Sequence, residues 1–272
     1  MNRFLVIARV GDRSLHSQWL TGAEPHFDLY LSCFSNEPRK YQGQTKYYEQ
    51  VKGGKWPELH RIVTDNTEII EKYDAVWMPD DDLLADADTI NRMFAFFEAF
   101  NLDLAQPALS MDSYFSHPSL LQTPNSIIRY TNFIEVMAPI FSKAALQNLK
   151  TTFGQSASGW GLDTLWPLLL NNDNKRGVAV LDAVTVVHTR PVGGELYKNN
   201  PELSPARDSE KLAKIYPQYN LSRRTHGNKF RVYGSTKFTQ YRADLSAFLM
   251  GKLLKTIRNW QSKKTKKYQP ND

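Results

Sequence analysis

Along most of this chain, short apolar runs alternate with polar, acidic or glycine-containing breaks. Phe4-Leu5-Val6-Ile7-Ala8 is apolar throughout, the pattern of a strand covered on both faces of a parallel sheet. Phe27 to Ser32 alternates and predicts a second strand. Tyr41 to Gly54 is polar and aromatic and predicts a loop or short helix, with Gly53-Gly54 as its break. Leu59 to Val63 predicts a third short strand and Thr67 to Tyr73 a helix. Ala75-Val76-Trp77-Met78 predicts a strand running straight into Asp80-Asp81-Asp82, and Asp88 to Phe100 a helix with Asp88 as its N-cap.

Further on, Asp103 to Pro107 predicts a strand and Ser110 to Ser126 a loop. Phe133 to Phe141 is apolar and leads into a helix that Ser142 can cap. The Gly/Ser-rich stretch Gly154 to Gly161 opens a helix through Asp163 to Leu170. Gly177 to Val187 predicts a strand ending at His188. Strands alternating with helices imply an α/β fold with a mixed, mostly parallel sheet flanked by helices. In such sheets ligands bind beyond the carboxyl ends of the strands, where the three aspartates fall. Residues 1–204 are expected to form that domain, and 205–272 a polar, basic C-terminal extension.

Composition narrows the class. A hydrophobic fraction of 41% with 12% aromatics supports a sizeable core and excludes a disordered chain. A single cysteine, Cys33, excludes an internal disulfide framework and a cysteine-built zinc site. The first apolar run is too short for a signal-peptide core or a membrane span, so a cytoplasmic location is expected. The formal charge of +6 is concentrated near the end, from Lys252 to Lys267. Leu245, Phe248, Leu249, Leu253, Ile257 and Trp260 recur there at helical spacing beside Lys252, Lys255 and Arg258. Such a helix either docks on the protein's own core or lies on an anionic membrane, on its inner face. No nucleic-acid partner is expected.

The sharpest chemical feature is Asp80-Asp81-Asp82, since no packing argument asks for three adjacent carboxylates after a buried strand. If the chain stays extended, Asp80 and Asp82 point the same way and can face one cation, Mg²⁺ or Mn²⁺ by their oxygen chemistry. The alternative is a solvated turn with Asp82 capping the next helix. In Gly159-Trp160-Gly161-Leu162-Asp163, two glycines allow close backbone approach and the indole offers a face to a sugar ring. The alternative there is an aromatic core anchor beside an acidic helix start. His188 at a strand end can ligate a metal or bind phosphate, and Arg190 can grip phosphate in a bidentate fork. Glu135 is a carboxylate within an apolar run, either paired in the core or lining a cleft.

The order of these pieces resembles the metal-dependent GT-A glycosyltransferases, particularly their galactosyltransferase-like branch. Leu104 to Leu109, Glu135 to Ser142, Gly159 to Asp163 and Val187-His188 are similar to a glycosyltransferase-like family of plant and bacterial domains of unknown function. The resemblance implies that Asp80 and Asp82 serve as metal and ribose-diphosphate ligands, with His188 the third metal ligand. It implies Asp163 as the base that deprotonates an acceptor hydroxyl, with Trp160 and Gly161 against the sugar. The branch often carries a second acid where Leu162 stands, which makes Glu135 a substrate contact and reserve base. By analogy Lys55, after Gly53-Gly54, reaches the donor phosphates beside Asp80 and Arg190.

These expectations combine into one activity. A sugar moves from a nucleotide-diphosphate donor, first a UDP-sugar, to a hydroxyl of a glycan or lipid-linked acceptor in cell-surface polysaccharide synthesis, with inversion. The rivals are another metal-phosphate enzyme, such as a nucleotidyltransferase or phosphohydrolase, and an inactive carbohydrate-binding protein of the same fold. Arg9-Val10-Gly11-Asp12-Arg13 is a poor match to the glycine-rich phosphate loop that the first rival usually needs.

Overall fold

A computed structural model describes residues 2–170, 177–191, 204–221 and 232–235. Among these residues nine strands form one sheet in the order β3-β2-β1-β4-β8-β6-β9-β7-β10: β1 (Phe4–Val10), β2 (Phe27–Cys33), β3 (Tyr47–Gln50), β4 (Ala75–Trp77), β6 (Leu104–Leu109), β7 (Arg129–Thr131), β8 (Ile140–Ser142), β9 (Val178–His188) and β10 (Val232–Ser235). A two-residue strand, β5 (Leu83–Leu84), pairs antiparallel with the end of β9. β7 and β8 run against the others; the remaining seven strands of the order point one way. The mixed, mostly parallel α/β sheet expected from the alternation is therefore present.

β1 is buried almost throughout because β2 and β4 flank it and helices cover the sheet, which is why its sequence shows no polar alternation. Among the described residues the α-helices are α1 (Lys55–Asp65), α2 (Thr67–Ile70), α3 (Ala87–Ala99), α4 (Lys143–Phe153), α5 (Leu162–Leu169) and α6 (Pro205–Ile215). As expected, the Ser142 hydroxyl caps α4 by accepting from the backbone N–H of Ala145. Trp56, Phe141, Phe153 and Trp166 interlock, mostly edge to face, and tie α1, α4 and α5 to β8.

Four local expectations are corrected. Leu59 to Val63 is helix, not strand: Trp56, Leu59, Ile62 and Val63 form the buried face of α1, and that period shows only over the whole eleven residues. Pro57 fits there because a first-turn N–H has no helical partner to lose. The segment 41–54 contains β3, an edge strand that pairs parallel with β2. Thr67 to Tyr73 is helical only to Ile70. α3 is capped by Asp86, which accepts from Thr89, leaving Asp88 in the first turn. The candidate amphipathic helix at 245–260 lies outside the described residues.

Partway along β9 the ladder to β6 slips. Pro107 pairs with Leu181, but Ala108 pairs with Thr185, so Asp182, Ala183 and Val184 are looped out of register. Asp182, fully buried, turns there to Arg129 of β7 in a two-pronged ion pair of 2.7 and 2.9 Å. Arg129 also donates to the carbonyls of Ser119 and Leu121, and Asp182 accepts from the Thr123 N–H. Beyond the slip, from Thr185 on, β9 alternates regularly, with Val186 and His188 on the buried side.

Candidate functional site

The parallel strands β1, β4 and β9 release their chains at one end of the sheet, and the acidic, basic and aromatic residues gather there. After β4 the chain does not stay extended; it turns at 81–82, so the three aspartates go to three different partners. Asp80 accepts from the Lys55 ammonium at 2.6 Å. Asp81 accepts from the backbone N–H of Gly11, at the end of β1, at 2.8 Å and from Arg190 at 3.2 Å. Asp82 lies 3.3 Å from Nε2 of His188. β5 makes that last meeting possible, because Leu83 pairs directly with His188.

The tautomer of His188 follows from its neighbours. Nδ1 lies 2.9 Å from the carbonyl of Tyr114, which can only accept, so Nδ1 carries a proton. Nε2 then faces a carboxylate, and two acceptors tolerate 3.3 Å only with a cation between them: a proton on Nε2 or a metal ion. Burial alone disfavours the charged imidazole, yet the hydrogen bond and charge of Asp82 outweigh it and raise His188 above its ordinary value. Burial likewise pushes Asp82 up, but His188 overcomes it and holds Asp82 below the usual carboxylate range. The second Asp82 oxygen, Oδ1, is buried with no hydrogen-bond partner. Burial raises Asp80 and Asp81, against the opposing pull of Lys55 on the first and of the Gly11 N–H and Arg190 on the second.

A cation would suit this corner, since Asp82 offers an orphaned oxygen and His188 a nitrogen fixed by its carbonyl partner. Asp80 does not join them as it stands, because Lys55 holds it. Among the described residues no three His, Cys, Asp or Glu side chains converge as a ready cage.

The second half of the site descends from the loop before β8 and the start of α5. Glu135 is buried, its N–H bound by the buried Gln106 side chain at 2.6 Å, and its Oε2 has no partner. Burial pushes its pKa up to about 7; His188 and Lys55 pull it down, while Asp163 and Asp80 push it up. Those four influences put Glu135 in one electrostatic neighbourhood with both aspartates, the lysine and the histidine. Asp163, in the first turn of α5, is raised to about 6 by burial, although Thr164 donates to it from N–H and hydroxyl. The Asp163 carbonyl also accepts from Ile134, next to Glu135, at 3.5 Å.

The tryptophan loop is held tightly by its glycines. Gly159 and Gly161 both have positive φ, +82° and +89°, which L side chains rarely adopt. A β-carbon on Gly159 would lie 2.4 Å from the Trp56 indole nitrogen, and one on Gly161 would lie 2.9 Å from Leu212 of α6. Between them Trp160 stays 47% exposed, so it is no core anchor. The Ser158 hydroxyl and N–H both reach Asp208 of α6.

All nine residues singled out in the sequence thus lie on this end of the sheet or on the segments that close over it. Sequence reasoning gave Asp81 no role of its own within the aspartate cluster and missed the Gly11 N–H, the Tyr114 carbonyl and Gln106. A buried glutamine in the apolar strand Leu104 to Leu109 was a readable signal; the backbone groups left none.

Comparison with known proteins adds the following. Residues 122–216 match a family model described as "Protein of unknown function (DUF707)", a segment that includes Glu135, Trp160, Gly161, Asp163, His188 and Arg190. No curated protein matches the chain by sequence. Among solved structures, S. aureus TarS is 12% identical with a TM-score of 0.47 over 84% of this chain; the match spans 44% of that chain. Its fragment 1–349, solved with UDP-GlcNAc, is 16% identical with a TM-score of 0.49, covering 84% of this chain and 75% of that one. A197 from STIV is 13% identical with a TM-score of 0.39, covering 69% of this chain and 86% of that one.

Proposed function

We propose that the chain is a metal-dependent glycosyltransferase that moves a sugar from a nucleoside-diphosphate donor to an acceptor hydroxyl, with inversion. The observation that carries this reading is the approach of Asp82 Oδ2 to His188 Nε2, at 3.3 Å, beside a buried Asp82 oxygen with no hydrogen-bond partner. That arrangement favours a bound cation, and it stands at the carboxyl ends of parallel strands, the usual place for ligands in such sheets. The family resemblance read from the sequence supplies the nature of the reaction.

When bound, a divalent ion offsets the charge that develops on the departing diphosphate. Asp82 and His188 would hold it. Lys55 and Arg190, two cations on either side of the aspartates, attract and orient the diphosphate. Asp163 accepts the proton of the attacking acceptor hydroxyl; its elevated pKa of about 6 suits a general base near neutral pH. Glu135, at about 7, holds a proton through mildly acidic conditions and can donate a hydrogen bond to a sugar hydroxyl. The exposed Trp160 indole provides a face for the apolar C–H side of a sugar, and Gly161 keeps the backbone beside it open. The acceptor is read as a glycan or lipid-linked glycan of the cell surface.

The test is transfer or hydrolysis of UDP-sugars by the purified full chain, with Mn²⁺, with Mg²⁺ and with chelator. Asp82→Ala should abolish turnover while leaving the fold intact. Turnover by that variant at the wild-type rate in chelator would refute the metal role.

A further inference from the structure

The strongest unassigned arrangement is the nest around the Lys55 ammonium. This residue opens α1 directly after Gly53-Gly54. Its three N–H donors go to Asp80 Oδ1 at 2.6 Å, the Val136 carbonyl at 2.9 Å and the Met137 carbonyl at 3.2 Å. The Met137 carbonyl also accepts from the Asp80 N–H at 2.8 Å, so the ammonium sits inside the junction of β4 with the loop carrying Glu135. It lies 5.2 Å from the centroid of the Trp56 ring. One carboxylate and two carbonyl oxygens are the kind of ligand set a hard cation takes. Here a side chain fills it.

We propose that Lys55 is an internal counter-ion that withholds Asp80 from the metal until a diphosphate arrives and draws the ammonium away. This deepens, and rests on, the glycosyltransferase reading. Before the donor binds, Asp80 is spent on Lys55, and Asp82 with His188 is all that faces a cation. A diphosphate carries more negative charge than one carboxylate, and lysine reaches it through a flexible four-carbon stem. Once the ammonium turns to the phosphates, Asp80 is an unneutralised carboxylate two residues from Asp82, and the metal gains a third side-chain ligand. Cation and donor therefore strengthen each other's binding through Lys55, beyond the direct contact of metal with phosphate.

Mn²⁺ titrations of the full chain, by electron paramagnetic resonance with and without UDP, test this. Lys55→Met should bind Mn²⁺ alone about tenfold more tightly than wild type, because Asp80 is already released. Lys55→Arg, which keeps the charge, should not. Combining Lys55→Met with Asp80→Asn should abolish that gain, because the carboxylate the first change releases is gone, and should lose about tenfold relative to Lys55→Met in the presence of UDP as well. The inference is overturned if Lys55→Met gains no affinity, or if the double variant keeps the gain. If Lys55→Met fails to fold, Lys55→Gln takes its place in both comparisons. A wild-type chain that binds neither Mn²⁺ nor UDP overturns the proposed function as well, so the two failures are distinguishable.

Discussion

The indole nitrogen of Trp56 occupies the space that a side chain at Gly159 would need, leaving 2.4 Å for any β-carbon. Through this contact the start of α1, which carries Lys55, and the loop that carries Trp160 are set against each other. Gly159→Ala must therefore adopt an unfavourable backbone angle and also displace a buried tryptophan. It should lower unfolding stability by about 2–4 kcal/mol, read from the urea midpoint at unchanged slope. Gly161→Ala meets only a leucine methyl group and should cost less.

The charges buried between β7 and β9 give a second expectation. Removing one partner of the Arg129–Asp182 pair strands the other in a dry interior. Asp182→Ala should cost about 3–5 kcal/mol, whereas Arg129→Met with Asp182→Leu should recover part of that loss. A double-mutant cycle by denaturant unfolding measures the difference.

Glu135 links pH to stability. Its folded pKa of about 7 lies above its ordinary 4.5, so the folded state binds the proton more tightly than the unfolded state does. Its contribution is fully present below about pH 4.5 and is lost as pH rises through 7. Ionisation in the folded protein thus costs about 3 kcal/mol at alkaline pH. Glu135→Gln should raise the Tm at pH 8 by several degrees and leave it little changed at pH 4, as followed by calorimetry.

Asp163 gives the corresponding expectation for turnover. As a base it must be ionised, so kcat/KM should fall as pH drops through about 6, the value to which burial raises it. Asp163→Asn should lose about 10²–10⁴-fold in kcat and lose that acidic limb of the profile. A variant that keeps the limb would transfer the role of base to another group.

Much of this was legible in the sequence. The apolar run of β1, the strand entering the aspartates, the Ser142 cap and the β9 strand ending at His188 each follow from a local pattern strong enough to survive folding. α1 was misread because Leu59 to Val63 is too short a window to separate a helical face from a strand. β3 escaped because an edge strand needs no continuous apolar run. For the aspartates the sequence leaves an extended run, with Asp80 and Asp82 sharing a face, and a solvated turn both open. The turn at 81–82 instead distributes them among Lys55, Arg190 and His188, partners far apart in sequence. No local pattern encodes a contact of that kind.

The slip between β6 and β9 carries a consequence for how this end of the sheet could evolve or be engineered. An odd number of residues leaves the ladder, so the last stretch of β9 is turned over relative to the first. Without it the imidazole at 188 would point to the opposite side of the sheet, away from the carboxylate it meets. Excising all three residues from 182 to 184, by contrast, would join Leu181 to Thr185 in continuous register with β6, so the imidazole would keep its aim while the buried ion pair with Arg129 would be lost.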